Sequence, residues 1–521
     1  MDQKEILNFC LERGILLDKD VLNLFTETTD FDSVRLMIEK IQESTHKKII
    51  TKNVFVEGIN KIGTSFPENS QNSIEKLKIR LGLELEISKE ISIIDSPKKE
   101  VDFNNKKEFN VKISQYIANS NKKLEVDDFV SYFRSRFSKM KSILQSHSNL
   151  KNLVSINKIS GDRQGISIIG IVSDKRITKN GNILFNLEDL TGNIRVLINQ
   201  NKQSLYNKAE DITLDSIVGI SGSGNKEIIF ANDIIFPDSM LNEKKKSPVE
   251  EYALFISDVQ FGNKLFLKNN FLKFIDYLNG KIPNTPEVNK IKYLFIVGDL
   301  IDGLGVYPEQ EKDLEVKDIE EQFKGIAELL SRIRKDIAII ISPGNHDGVR
   351  MMEPQPFFDK KYAWPLYMLE NVFLATNPCY VNIGEQKGFP GIDILLYHGY
   401  SYLYYADNIP SLIKSDSKNS PDKIMAYLLM NRHLAPTHSS VQYFPSQEDF
   451  LVIDKVPDIF VSGHIHKCAI SFYNNTLLIS TAAWEGKTAL QEKVGNEPDF
   501  SKIPIYNLKT GGIKILDFEG V

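Results

Sequence analysis

Five short segments in the second half of this chain end in residue types that hold metal ions. They are Ser257-Asp258-Val259-Gln260, Gly298-Asp299-Leu300-Ile301-Asp302-Gly303, Pro343-Gly344-Asn345-His346-Asp347, His398-Gly399 and Gly463-His464-Ile465-His466. Four of the eight histidines fall in them, whereas His46, His147, His433 and His438 do not. Carboxylate, amide oxygen and imidazole together, with no thiolate, suit Mn, Fe or Zn better than an oxygen cage for Ca or a sulfur site. Seven candidate ligands (Asp258, Gln260, Asp299, Asn345, His398, His464 and His466) are too many for one tetrahedral ion. They suit two ions sharing one carboxylate. Two such ions, about 3.5–4 Å apart, clamp a phosphoryl group and generate hydroxide at neutral pH, which is the chemistry of phosphoester hydrolysis. A single histidine at a strand end means little; five such elements in series are hard to assign to chance.

Each segment follows an almost unbroken apolar run, at 252–256, 293–297, 337–341, 394–397 and 459–461. Runs of that length suit strands buried on both faces. Ligands at the ends of such strands sit on rigid elements and meet at one rim of a sheet. The adjoining glycines permit the sharp turns and close backbone approach of a tight site.

The sequence divides into five stretches. Residues 1–70 are expected to form a small helical domain, because Ile6, Leu7 and Phe9, then Val21, Leu22 and Leu24, then Val34, Met37 and Ile38 recur at helical spacing. It reads equally well as a packed helical unit and as a protein-docking module. Residues 71–126 are polar, Lys- and Asn-rich, and are expected to be a flexible linker. Over 127–240 a helix is expected first, with Phe129, Tyr132, Phe133, Phe137, Met140 and Leu144 as its apolar stripe and Arg134, Arg136, Lys139 and Lys141 on a solvated basic face. Short strands between Gly, Asn and Asp turns follow, and suggest a five-stranded barrel. The phrase Phe185-Asn-Leu-Glu-Asp-Leu-Thr-Gly192 with Ile194-Arg-Val-Leu-Ile198 resembles the core of an OB-fold. Such barrels bind single-stranded nucleic acid through aromatic stacking and a basic groove. Here aromatics are few and charges balance, which favours a structural or interface role. Residues 241–251 read as a second linker whose lysine triplet is solvated, and 252–521 as the catalytic domain. The fold class is therefore multidomain α+β.

Bulk properties agree. A chain of 521 residues suggests about three domains. Its 41% hydrophobic and 26% charged content excludes wholesale disorder, and a net charge of −5 excludes a histone-like protein. Cys10, Cys379 and Cys468 form neither a disulfide framework nor a thiolate zinc site, which fits a reducing compartment. The start has no basic and apolar leader, and no apolar run approaches the ~20 residues of a membrane helix. A cytoplasmic protein with no membrane partner is expected.

The five motifs resemble the calcineurin-like metallophosphoesterase superfamily, with its D-x-H, G-D-x-x-D, G-N-H-[DE], lone H and G-H-x-H. Longer phrases resemble the small subunits of archaeal family D DNA polymerases: Asp302-Gly-Leu-Gly-Val-Tyr-Pro308, Pro343-Gly-Asn-His-Asp-Gly-Val-Arg350, Glu353-Pro-Gln-Pro356, Asn431-Arg-His-Leu-Ala-Pro436 and Val456-Pro-Asp-Ile-Phe-Val-Ser-Gly-His464. The resemblance covers about 125–521. It implies a β-sandwich phosphodiesterase flanked by helices that removes nucleotides from the 3′ end of DNA and so proofreads. It further implies a large catalytic polymerase subunit as partner in a heterodimer or higher assembly, a primer-template 3′ end as substrate, contact with a sliding clamp through the complex, and association with the nucleoid. By the same resemblance, Asp258, position 260, Asp299 and His466 would hold a first divalent ion. Asp299 would bridge to a second, completed by Asn345, His398 and His464. Mn is favoured, with Mg, Fe or Zn as alternatives. His346 would be the catalytic acid or charge stabiliser, oriented by Asp347.

One position departs from the pattern: Gln260 stands where the superfamily has histidine. An amide oxygen is a weaker transition-metal ligand than imidazole, so the first ion is expected to bind less tightly or to be a harder one such as Mn or Mg. The alternative is a catalytically weak or inactive scaffold subunit of the same polymerase; a stand-alone phosphatase or repair nuclease fits the longer phrases poorly. Tyr307 and Pro308 are candidates to shape a pocket for the 3′ nucleotide. Trp484 is expected in the core or an interface, Cys468 as a buried neighbour of His466 rather than a ligand, and 400–423 as a lid or partner contact.

Overall fold

In the computed structural model the described residues are 3–18, 21, 31–45, 48–50, 54, 100–101, 109–115, 124–493 and 497–519. Two compact units divide the chain at 98/99. In the first, helices Gln3–Glu12 and Phe31–Thr45 accompany a parallel pair, Leu16–Leu17 with Ile49–Ile50. Ile6, Val34, Ile38 and Ile41 are buried there. Leu22, Leu24 and most of 71–126 lie outside the described residues.

The second unit holds two stacked sheets. One has six strands in the order Val372–Leu374, Ala338–Ser342, Ile291–Val297, Tyr252–Ile256, Lys502–Asn507, Ile513–Asp517, of which the first four are parallel. The other has seven, in the order Ala469–Tyr473, Thr476–Ser480, Ile459–Ser462, Ile392–Leu396, Cys379–Ile383, Val111–Gln115, Glu100–Val101. The apolar runs are continuous because successive side chains serve different cores. Ala253, Phe255, Phe295, Val297 and Ile340 point into the layer between the sheets, with Val381, Ile394, Val461 and Ile479. Leu254, Ile256, Leu294, Ile296 and Ile339 point outward, under Phe271 and Phe274 of helix Lys268–Leu278 and Phe323 and Ile326 of helix Ile319–Ser331. Every residue of these strands therefore must be apolar, and their ends are fixed from both sides.

The stretch 71–126 is not linker throughout. Val111–Gln115 pairs antiparallel with Cys379–Ile383, and Val111 and Ile113 are buried between the sheets. Its Val-Lys-Ile alternation is short and sits in polar surroundings, so periodicity alone did not reveal it.

Residues 164–235 form a closed barrel of five strands, in the order Gln164–Ile177, Ile183–Asp189, Gly192–Ile198, Ile228–Ile235, Ile217–Gly224. Helix Val126–Gln145 joins it to the sandwich. Phe137, Met140 and Leu144 pack against Ile169, Ile217 and Ile235 of the barrel, while Tyr132 packs with Tyr443 and Tyr402. Arg136 corrects the expectation of a solvated basic face. It is 1% exposed and bonds Asp449 at 2.6 Å and the Pro436 carbonyl at 2.9 Å. Its neighbours on the helix gave no hint, since its acidic partner lies 313 residues away.

The lysine triplet is likewise not simply solvated. Lys245 bridges Asp393 (2.6 Å) and Asp458 (2.7 Å), and Lys244 lies 3.6 Å from the centroid of the Phe472 ring. Segment 400–423 is helical, with Tyr402–Asn408 and Pro410–Lys414, and buries Tyr402 and Tyr405 against helix Pro421–Asn431. It packs as a wall of the sandwich and touches the barrel, where Ser411 N–H donates to Asp211 Oδ1 at 3.0 Å.

Candidate metal centre

The four parallel strand ends place Asp258, Asp299, Asn345 and their neighbours on one rim. His398 and His464 come from the facing sheet at the same end. Close approach needs bare backbone: a Cβ at Gly298 would overlap His398 Nδ1, and one at Gly344 would overlap Asp299 Oδ1. Asp258 (φ 49°), Gln260 (φ 52°), Asp299 (φ 51°), His464 (φ 68°) and His466 (φ 57°) all adopt the left-handed region. Side chains other than glycine enter it at a cost of order 1–3 kcal/mol each, and such residues cluster at functional sites.

Asp299 is the hub. Its Oδ1 accepts from His346 N–H at 2.9 Å, its Oδ2 from Gln260 Nε2 at 3.3 Å, and its Oδ2 lies 3.2 Å from His398 Nε2. Asp299, His398 and His464 each bring one ligand atom within 4.8 Å of the others. Across the rim, His466 Nε2 lies 3.3 Å from Asp258 Oδ1. Asp258 also accepts from His464 N–H and from the Ser257 hydroxyl.

The donor set fits cations. His398 Nδ1 faces the Val297 carbonyl at 3.0 Å, which can only accept, so Nδ1 carries the proton. On the neutral ring, Nε2 is then a bare lone pair, and it looks at Asn345 Oδ1 (3.1 Å) and Asp299 Oδ2 (3.2 Å). Three electron-pair donors converge with no hydrogen among them, an arrangement that calls for a proton or a metal ion at the centre. The carbonyl behind Nδ1 is the outer partner that metal-ligating histidines use to fix their tautomer. Gln260 adds a second sign: it is 2% exposed and its Oε1 has no hydrogen-bond partner among the described residues.

The electrostatics agree. Burial resists a charge on His398, but the Asp299 carboxylate outweighs it and raises the ring's pKa to about 10. Burial would raise Asp299 too, yet His398 and His346 hold its carboxyl well below the usual range. His464 is driven the other way, to about 3, by burial and then by His398, so it stays uncharged.

His346 stands at the mouth. Its Nδ1 pairs with the Asp302 carbonyl oxygen at 2.8 Å, and its Nε2 lies 3.9 Å from Asp299 Oδ2. The expected role of Asp347 needs correction here. Its carboxylate accepts from Gly344 N–H (2.7 Å) and Ile301 N–H (3.1 Å), tying two ligand loops together, while Asp302 fixes the ring. Asp302 in turn is buried beneath Gln310 and Asn263. A backbone carbonyl leaves no mark in a sequence, so this support could not be read beforehand.

The calcineurin-like phosphoesterase family matches residues 253–468. The DNA polymerase II small subunit of Methanothermobacter thermautotrophicus is 35% identical over 398 residues, covering 76% of this chain and 80% of that one. That of Pyrococcus horikoshii is 34% identical over 469 residues, covering 87% and 73%. This chain belongs to the archaeal DNA polymerase II small-subunit family. The small subunit of Pyrococcus furiosus is 37% identical over 405 residues, and there the match spans 76% of this chain but 64% of the relative's length.

Two acidic residues near the site of this small-subunit family member have no role that the sequence assigns. Glu485, in Ala-Ala-Trp-Glu-Gly, is 5% exposed, and burial pushes its carboxyl up to about 7. Glu353 is fully buried behind His398; Tyr397 donates to it at 2.9 Å, and burial raises its carboxyl to about 8. Both look like ordinary surface acids in a linear reading, and only the close packing around them says otherwise. Tyr307 has its ring 6.3 Å from that of His346, and Tyr400 lies 5.5 Å from His464. Trp484 is buried against Phe271 and Phe274. Burial raises the Cys468 thiol to about 12, which suits a packed neighbour rather than a ligand. Among the described residues no helix is long and apolar enough to cross a membrane.

Proposed function

We propose that this chain is the 3′→5′ exonuclease of a two-subunit DNA polymerase, hydrolysing phosphodiesters at a primer 3′ end with two divalent cations. The observation that carries the reading is the convergence of His398 Nε2, Asn345 Oδ1 and Asp299 Oδ2 on one point that only a proton or a cation can fill. Asn345, His398 and His464 would hold one cation, Asp258, Gln260 and His466 the other, and Asp299 both. When bound, such a pair polarises the phosphodiester and supplies a hydroxide at neutral pH. Mn is the ion favoured by the mixed oxygen and nitrogen donors.

The chain's own residues do the rest. The Asp302 carbonyl fixes the His346 tautomer and aims Nε2 into the cleft. Burial disfavours charge on that ring, but Asp299 and the Asp302 carbonyl together raise its pKa. A proton held at His346 Nε2 can pass to the departing 3′ oxygen. Asp347 holds the Asn345 and Ile301 loops in register.

The strand order of the barrel supports an OB-fold. Exposed Phe230 with Arg163 stacked at 5.3 Å offers one aromatic-basic contact for single-stranded DNA. A larger polymerase subunit is the partner this reading implies, in keeping with the relatives' name, with a sliding clamp reached through that complex. Gln260 favours the second reading, a scaffold subunit with weak or no activity.

The test is manganese-dependent digestion of a 5′-labelled primer with a 3′ mismatch, by the chain alone and with its large subunit. Stepwise shortening that vanishes in His346→Ala is the expected result. No shortening while the complex still assembles would leave the scaffold reading.

A further inference from the structure

The two side chains that meet at 3.1 Å, Asn345 Oδ1 and His398 Nε2, come from different sheets. Asn345 follows Ala338–Ser342 and His398 follows Ile392–Leu396. A link between the sheets must set the gap, and two buried amides supply one. Gln355 lies further along the loop that carries Asn345. Asn377 lies where the chain leaves Val372–Leu374 of one sheet for Cys379–Ile383 of the other, and both residues are buried. Gln355 Nε2 donates to the Gly344 carbonyl at 3.2 Å and to the Arg350 carbonyl at 3.3 Å, which ties the loop on both sides of Asn345. Asn377 Nδ2 donates to Gln355 Oε1 at 2.7 Å, and Asn377 Oδ1 accepts from His398 N–H at 2.9 Å. The two backbones pair as well, with Gln355 N–H donating to the Asn377 carbonyl at 2.6 Å.

This run of bonds has one direction only. A peptide N–H can only donate and a peptide carbonyl can only accept, so His398 fixes Asn377 Oδ1 as acceptor and Gly344 fixes Gln355 Nε2 as donor. The bond between the amides must then run from Asn377 to Gln355. An ionised carboxylate at either place would set acceptor against acceptor. Folding alone does not ask for such a pair, because replacing both partners of a buried hydrogen bond by apolar groups of the same shape is nearly neutral. We propose that Gln355 and Asn377 are positioning residues that hold Asn345 Oδ1 and His398 Nε2 at the separation the second cation needs. The Val297 carbonyl orients the His398 ring, and the amide pair sets its distance from Asn345. Outer partners of this kind tune metal affinity through the ligands they hold. The Asp258–His466 side has no part in the link. This inference rests on the two-cation reading above and concerns how one of its sites keeps its geometry.

Manganese uptake by the full-length chain, followed by loss of the free-ion electron paramagnetic resonance signal, reads the centre without any substrate. The class of bound Mn that His398→Asn removes is the second site. Gln355→Met, close in size but with no donor, should weaken that class by about 10–100-fold, the range for removing a supporting group at a metal site, and leave the other unchanged. In an Asn345→Ala background the same change should cost under about threefold, because Gln355 acts through Asn345. Should Gln355→Met not fold, Gln355→Glu keeps the shape and the acceptor for Asn377 but, ionised, cannot donate to Gly344. Its added charge by itself would tighten a cation, so a weakened second class still reports the lost bond. A second class unchanged or tightened in the folded variant, an equal loss in both classes, or an undiminished loss in the Asn345→Ala background would overturn the positioning role and leave the two-cation reading standing. A wild type that takes up no manganese would overturn both.

Discussion

Two buried clusters in this protein each pair histidine with aspartate, and they resolve the same electrostatic problem in opposite ways. Between the connecting helix and the sandwich, Asp449 accepts from Arg136 (2.6 Å) and lies 2.9 Å from His433 Nε2. The guanidinium neutralises the carboxylate inside the fold, so His433 need not charge. Burial and then Arg136 lower its pKa to about 4. At the rim, Asp299 faces His398 with no arginine or lysine beside it, and His398 is raised to about 10. One cluster carries its own cation; the other is shaped to receive one. Burial of an ion pair by itself thus says little about function, and the informative quantity is whether the positive charge is already built in.

The sharpest way to break this contrast is to remove the receiving carboxylate. On the proposed reading, Asp299→Asn should lower manganese-dependent exonuclease activity by at least about 1,000-fold, roughly 4 kcal/mol of activation barrier; in chelator-treated protein the urea midpoint should fall too, because His398 loses the carboxylate that holds its proton. Activity retained within tenfold would mean that Asp299 is not the bridge.

The converse change belongs to the self-neutralised cluster. Arg136→Met strands Asp449 in the interior and should destabilise the sandwich by about 3–5 kcal/mol. Manganese stoichiometry measured on the folded fraction should be unaltered. Loss of metal together with stability would show that the two clusters are one unit.

The pH dependence should have opposite signs. In chelator-treated protein, the His398 contribution is complete below its unfolded pKa near 6.5 and lost as pH rises toward 10, because the folded ring binds the proton more tightly. The His433 contribution is complete above 6.5 and lost as pH falls toward 4, because the folded ring binds it less tightly. At 1.36 kcal/mol per pKa unit the full swing is at most about 5 kcal/mol for His398 and about 3 kcal/mol for His433. Urea midpoints across pH 4–10, compared with His398→Asn and His433→Gln, should show each variant flattening one limb. Saturating manganese should flatten the alkaline limb alone.

Smallest of all is the partly buried bridge of the 241–251 segment. Lys245→Met removes the partner of Asp393 and Asp458. Lys455 still reaches Asp393 at 2.7 Å, so the loss should be about 1 kcal/mol. A loss of several kcal/mol would place this bridge with the buried Arg136 pair rather than with surface ion pairs.

The convergence of the candidate ligands was legible because it obeys a local rule. Each candidate follows an apolar run, and the run itself shows that both faces of the strand are covered. That holds for Asp258, Asp299, Asn345 and His398 on separate strands, and for His464 and His466 after 459–462. The same local rule misplaced Arg136, which sits at helical spacing among solvated bases, and Asp347, which sits next to the histidine it does not orient. It also passed over Val111–Gln115, Glu353 and Glu485, whose partners come from elsewhere in the chain.

The amino-acid sequence by itself therefore determined which side chains could bind cations, which strands carry them and which reaction class they suit, because ligand type and strand burial are encoded in consecutive residues. The tertiary structure alone decided which oxygens and nitrogens meet, that Asp302 rather than Asp347 steadies His346, that Gln260 keeps its place beside Asp299, and that Glu485 is buried. Those outcomes depend on contacts between segments tens to hundreds of residues apart and on left-handed backbone at five site residues, and neither is written in any local pattern.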